Sequence, residues 1–265
     1  MSRSLLERRA LGIFPGRSWL YAGSTLVAPD VAPAVTSSLT SASNAQADAA
    51  DAASVLLALS AGGRWWRPAL DVTVSDERAR VVVLPWQDGL RTPAQQLRYA
   101  EACLEDAGAS ASGGWTMQYC YRRHAHAGVA YALPTADLEH LTAQASENRL
   151  HLRSVLPVSA AAYWRHPLPR RRESGASSSL LLLGEAHRYT LMRFKGPALM
   201  ALDVQPAAAD REQALRRLLR RAQVAMPSTG EVGFWSYDSS EAPDQIITGC
   251  FATASIRTLP HRSWE

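Results

Sequence analysis

Residues 11–27, LGIFPGRSWLYAGSTLV, predict a strand, a turn at Pro15-Gly16 and a second strand. Pro and Gly punctuate the run, while Trp19, Tyr21 and the β-branched residues beyond favour extended backbone. Downstream, about residues 29–45 are rich in Ala, Ser, Thr and Pro and read as a flexible segment. From about Ala45 the composition turns helical. Val55, Leu56 and Leu59 share one face, and Gly62-Gly63 closes the helix.

The pattern then becomes β-rich. Leu70-Asp71-Val72-Thr73-Val74 alternates, Ser75-Asp76-Glu77 reads as a turn, and Ala79 to Trp86 reads as the returning strand of a hairpin. Thr92-Pro93 with Gln95 forms a capping-box signature for a helix to about Asp106. Strands are expected at Trp115–Arg122 and Gly128–Leu133. A helix capped by Thr135 should run to Glu147, followed by a strand from Leu150 to Leu156 and a helix from Ser159 to Tyr163. The stretch RHPLPRRRESGASS, from Arg165 to Ser178, combines Pro, Arg, Gly and Ser as linkers do. Beyond it the plan restarts. Three strands (Ser179–Leu183, His187–Phe194, Ala198–Val204) precede an amphipathic helix from Asp210 to Ala225, with Leu215, Leu218 and Leu219 inward. Further strands are expected at Glu231–Tyr237 and Ile246–Ile256. The two halves share one order of elements, so the expected class is α/β with hairpins feeding mixed sheets. The expected division is 1–165, a linker at 166–178, and 179–265.

Composition narrows the function. The chain has 265 residues, 47% hydrophobic and 20% charged, enough to bury a substantial core. Three cysteines, Cys103, Cys120 and Cys250, are an odd number in a long chain and predict buried, reduced thiols. The formal net charge is +4, and Lys195 is the sole lysine among 28 basic residues. Without a basic stripe interleaved with aromatics, nucleic acid is not an expected partner. Arg3, Arg8 and Arg9 precede an apolar stretch as in a signal peptide. Pro15, Gly16 and Arg17 interrupt it, and no small-x-small site closes it, which favours a cytoplasmic location.

Catalytic signatures are sparse. GxSxG, HExxH, Walker A and GxGxxG do not occur. His124 and His126 would share one face of a strand and suit a metal, or lie together in a hairpin loop. Asp71, Asp76 and Asp88 read as solvated turn carboxylates rather than an acid–base pair. Arg216, Arg217, Arg220 and Arg221 flank the apolar face of the 210–225 helix as a solvated face, and Arg170-Arg171-Arg172 lie in the linker, where they suit an acidic partner or lipid headgroups. Trp65-Trp66, between a Gly-Gly turn and a strand, mark either a partner surface or a lobe junction.

The opening Leu11-Gly12-Ile13-Phe14-Pro15-Gly16-Arg17-Ser18, the segment Val82-Val83-Leu84-Pro85-Trp86, the helix with Tyr99-Ala100 and the segment Leu152-Arg153-Ser154-Val155-Leu156-Pro157 resemble the PilM/GspL group. These are cytoplasmic proteins of type IV pilus and type II secretion inner-membrane platforms. The resemblance implies a two-lobed actin-ATPase-like (ribonuclease H-like) fold. It also implies partners: a cytoplasmic segment of a bitopic inner-membrane protein of PilN/GspM type, an assembly ATPase, and a second copy of the chain. Nucleotide-binding members carry Gly-x-Asp-x-Gly in the first phosphate loop. Here Gly12, Phe14 and Gly16 hold those places, with Phe14 where the Mg²⁺-organising Asp stands. The second phosphate loop should offer Asp-x-Gly, whereas this chain has Gly184 and Glu185 after an all-Leu strand. The Gly-Gly for adenosine should follow a late strand, and the late candidates, Gly230 and Gly233, are not adjacent. The resemblance therefore implies a pseudo-ATPase scaffold without cofactor, metal or turnover. The alternative is a divergent actin-fold ATPase or small-molecule kinase using other residues.

Overall fold

A computed structural model of the chain describes residues 8–14, 17–22, 25–28, 68–165, 178–207, 210–227, 229–236 and 243–258. The expected flexible segment at 29–45, the helix after Ala45, and residues 166–177 of the expected linker lie outside these.

The chain opens with β1 (Arg8–Phe14), β2 (Arg17–Ala22) and β3 (Thr25–Ala28). It continues through β4 (Ala69–Val74), β5 (Arg80–Leu84), α1 (Pro93–Asp106), β6 (Trp115–Cys120) and β7 (Gly128–Pro134). Then come α2 (Thr135–Glu147), β8 (His151–Pro157) and α3 (Val158–Arg165). The second half holds β9 (Ser178–Gly184), β10 (Arg188–Lys195), β11 (Ala198–Pro206), α4 (Arg211–Ala225), β12 (Thr229–Ser236), α5 (Asp244–Cys250) and β13 (Ser255–Thr258).

Two five-stranded sheets have one strand order, β3-β2-β1-β4-β8 and β11-β10-β9-β12-β13. In each, the first three strands are antiparallel and the last two join in parallel. This repeated order is the two-lobed plan that the sequence suggests. A three-stranded antiparallel sheet, β5-β7-β6, is inserted in the first lobe between β4 and α2, with α1 on it.

Three expectations need correction. Residues 70–86 do not form a hairpin. β4 is flanked on both edges by β1 and β8, so no edge is left for β5, which pairs with β7. The chain leaves β4 through a 3₁₀ turn at Asp76–Arg78, where Ser75 Oγ accepts from the Glu77 amide at 3.1 Å. Residues 246–256 are not one strand but the end of α5, a turn and β13. Thr135 is not a cap: Pro134 holds that place, and the Thr135 hydroxyl lies 2.9 Å from that of Thr116.

The capping box at α1 forms as expected, with Thr92 Oγ1 accepting from the Gln95 amide at 3.2 Å and Gln95 Oε1 accepting from the Thr92 amide at 3.1 Å. Thr92→Ala is expected to cost about 1 kcal/mol, read by urea unfolding.

The leucine run 180–183 shows how the core is divided. All four side chains are fully buried. Alternation sends Leu180 and Leu182 into one core with Leu215, Leu218 and Leu219 of α4. Leu181 and Leu183 enter another with Leu11, Phe14, Val72 and Val74 of the first lobe. A third core lies between α1 and the inserted sheet, around Leu84, Leu104 and Met117.

Candidate functional site

The C-terminal ends of β1, β4 and β9 meet at one corner. The Ser75 amide donates to the Ile13 carbonyl at 2.9 Å, which ties the end of β4 to β1. Phe14, the last residue of β1, is 2% exposed within the first-lobe core. Gly12 lies mid-strand in β1, paired with Trp19 and Thr73. Gly16 lies outside the described residues. Gly184 ends β9, and a Cβ there would stand 3.4 Å from the Phe234 ring and 3.5 Å from that of Tyr189.

Glu185 follows in the β9–β10 turn and crosses to the first lobe. Its Oε2 accepts from Ser75 Oγ at 2.6 Å and from the Asp76 amide at 3.1 Å. Asp76 is 1% exposed, against the expectation of a solvated turn residue. Its Oδ1 accepts from the Ser159 amide at 3.0 Å, and its Oδ2 is bonded to the Ser159 hydroxyl in the first turn of α3. Arg188 donates to the Asp76 carbonyl at 2.8 Å and lies 4.0 Å from Glu185 Oε1. Burial raises both carboxyls above the usual range, and the neighbouring Asp76 charge helps push Glu185 up to about 8.

This corner does not fit a magnesium nucleotide. A buried phenyl ring has no oxygen for a hydrated cation, and the Glu185 side chain, bonded across the lobes, takes up the donors that end β4. Asp71, also expected in solvent, is held by Arg153 at 2.8 Å and Ser154 at 2.5 Å. Sequence reading missed this carboxyl pair because its members are 109 residues apart.

A second feature is a cavity of about 40 Å³ in the first lobe, between the strand ends of its sheet and α2. Ile13, Val74, Leu133, Leu138, Leu141 and Val155 make its apolar walls. Arg78 and Asp137, 3.7 Å apart, stand at its edge with His140. Gln144, 8% exposed, also lines it, and its Oε1 accepts no hydrogen bond among the described residues.

The remaining candidates scatter. Trp65, Trp66, Arg170, Arg171 and Arg172 lie outside the described residues. His124 and His126 sit in the β6–β7 connection, where the His124 ring is 4.6 Å from Trp86. Among the described residues no group of three or more His, Cys, Asp and Glu is placed to hold a metal. Cys103, Cys120 and Cys250 are free thiols, half-buried rather than fully buried as expected, and burial pushes Cys120 up to about 11. Arg216, Arg217, Arg220 and Arg221 are exposed on α4, Arg216 paired with Glu212 at 2.6 Å. No helix among the described residues is long and apolar enough to cross a membrane.

No protein-family profile and no curated protein matches the sequence. Solved structures do match. In a PilM–PilN type IV pilus biogenesis complex, 12% identity accompanies a TM-score of 0.64 over 97% of this chain and 89% of that one. A Bacteroides thetaiotaomicron protein with an actin-like ATPase fold and unknown function gives 9% identity and a TM-score of 0.58, covering 97% and 92% of the two chains. The cytoplasmic domain of EpsL, an inner-membrane component of the type II secretion system of Vibrio cholerae, gives 11% identity and 0.51 over 95% and 97%. With one strand order repeated in its two five-stranded sheets, the chain has the actin-like ATPase fold of the kind found in PilM and EpsL.

Proposed function

We propose that this chain is a non-catalytic scaffold of an inner-membrane platform related to type IV pilus or type II secretion machinery. It works in the cytoplasm, peripheral to the membrane through its partners, and binds the cytoplasmic segment of a bitopic membrane protein. We also infer that its lobes are 1–165 and 179–265, joined by 166–178. The observation that carries the reading is the apolar cavity lined by Gln144, whose Oε1 accepts no hydrogen bond among the described residues. A buried acceptor without a donor is costly, and a peptide supplies the missing N–H together with a small apolar side chain. The PilM–PilN neighbour and the EpsL neighbour support the class of machine. Phe14 and the Glu185–Asp76 contact support the absence of turnover.

The test is calorimetric. Synthetic cytoplasmic segments of bitopic membrane proteins from the same cell are titrated into the full chain. A segment binding tighter than about 100 μM, or about −5.5 kcal/mol, is expected. Leu141→Glu should weaken it at least about tenfold by placing a charge in the apolar wall. Mg-ATP is expected to give no heat up to millimolar concentration. Nucleotide binding without peptide binding would turn the reading to the divergent ATPase or kinase.

A further inference from the structure

β6 is an outer strand of the inserted sheet β5-β7-β6, and it lacks the devices that keep such edges from pairing with another chain. Every other outer strand among the described residues has one. β3 and β13 are four residues long, β8 and β11 pair irregularly with their neighbours, and β5 opens on the exposed Arg80. β6 runs six residues in unbroken register with β7, and residues 107–121 around it hold no charge and no proline. We propose that β6 is the contact between two copies of this chain, paired antiparallel about a two-fold axis at Met117 into one six-stranded sheet. β6 contributes nothing to the walls of the first-lobe cavity, so this contact stands independently of peptide binding.

The ladder with β7 fixes which groups face outward. The Thr135 amide donates to the Gly114 carbonyl at 2.8 Å, so these two residues oppose each other as a hydrogen-bonded pair. Antiparallel alternation then turns the backbone of Thr116, Gln118 and Cys120 toward β7. The amides and carbonyls of Trp115, Met117 and Tyr119 turn away from it, and among the described residues nothing bonds to them. Outward groups at every second residue can meet a second β6 only in an even register. Centred on Met117, that register sets Trp115 opposite the partner's Tyr119, Met117 opposite the partner's Met117, and Thr116 opposite the partner's Gln118. Three hydrogen-bonded pairs give about six bonds across the axis. The cross-strand pairs are complementary. Trp115, held by the Arg80 guanidinium 5.4 Å from its ring centre, meets a half-buried tyrosine, and aromatic pairs of this kind stabilise sheets. Thr116 and Gln118, on the other face, are uncharged. Beyond the strand, Arg122 and Arg123 extend toward the small residues 111–114 of the other copy and not toward its arginines. No like charges oppose each other, which is what a surface that must fit itself requires.

The experiment is sedimentation velocity on the full chain between about 5 and about 200 μM, where a dimer should form and become the main species. Thr116→Lys with Gln118→Lys places two like-charge pairs across the axis and should leave a monomer; Thr116→Glu with Gln118→Glu should do the same. Mixing the two doubly substituted chains should restore a dimer, because each positive position then faces a negative one. Hydrogen exchange on the natural chain decides the matter if the variants do not fold. The outward amides of Met117 and Tyr119 should gain at least about fivefold protection over that concentration range, while the Gln118 amide, bonded to β7, stays constant. A natural chain that remains monomeric at the highest concentration overturns the contact. So does a dimer that survives the like-charge substitutions, or one that leaves exchange at Met117 and Tyr119 unchanged.

Discussion

Phe14→Ala is expected to lower the unfolding free energy by about 4 kcal/mol, the cost of emptying a large, fully enclosed aromatic site. The ring is 2% exposed and shares its core with Leu11, Ile13, Val74 and, from the other lobe, Leu181 and Leu183. At roughly 2–4 °C per kcal/mol for a chain of this size, the melting temperature should drop by roughly 8–16 °C. The converse substitution is as informative. Phe14→Asp would place an unpaired charge in that core, so it should fail to fold rather than acquire nucleotide binding. A folded Phe14→Asp that binds Mg-ATP would show that the corner is an ATPase site one residue away from working. Thermal unfolding and calorimetry on the two variants give both answers.

Asp76→Ala should cost about 3 kcal/mol at neutral pH, measured by chemical denaturation. The substitution strands the Ser159 amide and hydroxyl, two buried donors. It also changes the pH dependence. Glu185 is held above its unfolded value, so its stabilising share is complete below about pH 4.5 and is lost as pH rises through about 8. Part of that displacement comes from the Asp76 charge. In Asp76→Ala the fall in stability between pH 6 and 9 should therefore be shallower than in the natural chain. An equally steep or steeper fall would mean that Asp76 is not the charge that Glu185 feels.

Local chemistry was legible in the sequence. The Thr92–Gln95 box sits where the spacing put it, and so do α4 and the strands β9, β10 and β11. The actin-like plan was also legible, because repeated element order survives without sequence identity. What could not be read depended on distant partners. Asp71 was read as a solvated turn carboxylate, yet it is buried and held by Arg153, 82 residues on. Ile246-Ile247 suggested a strand by β-branching, but Ile247 is the buried residue of a short helix. Glu185 was singled out for its place after Gly184, and nothing local announces that its carboxyl ends at Ser75, 110 residues away.

The leucine run of β9 has one more consequence. A strand with helix on one side and the other lobe on its reverse has no slack: successive side chains, about 3.4 Å apart along the backbone, belong to different cores. A tilt of α4 that displaces Leu182 carries Leu181 and Leu183 with it, because close-packed interiors transmit displacement instead of absorbing it. β9 thus behaves as a party wall. Whatever leans on α4 is felt in the room behind β9, where Phe14 stands.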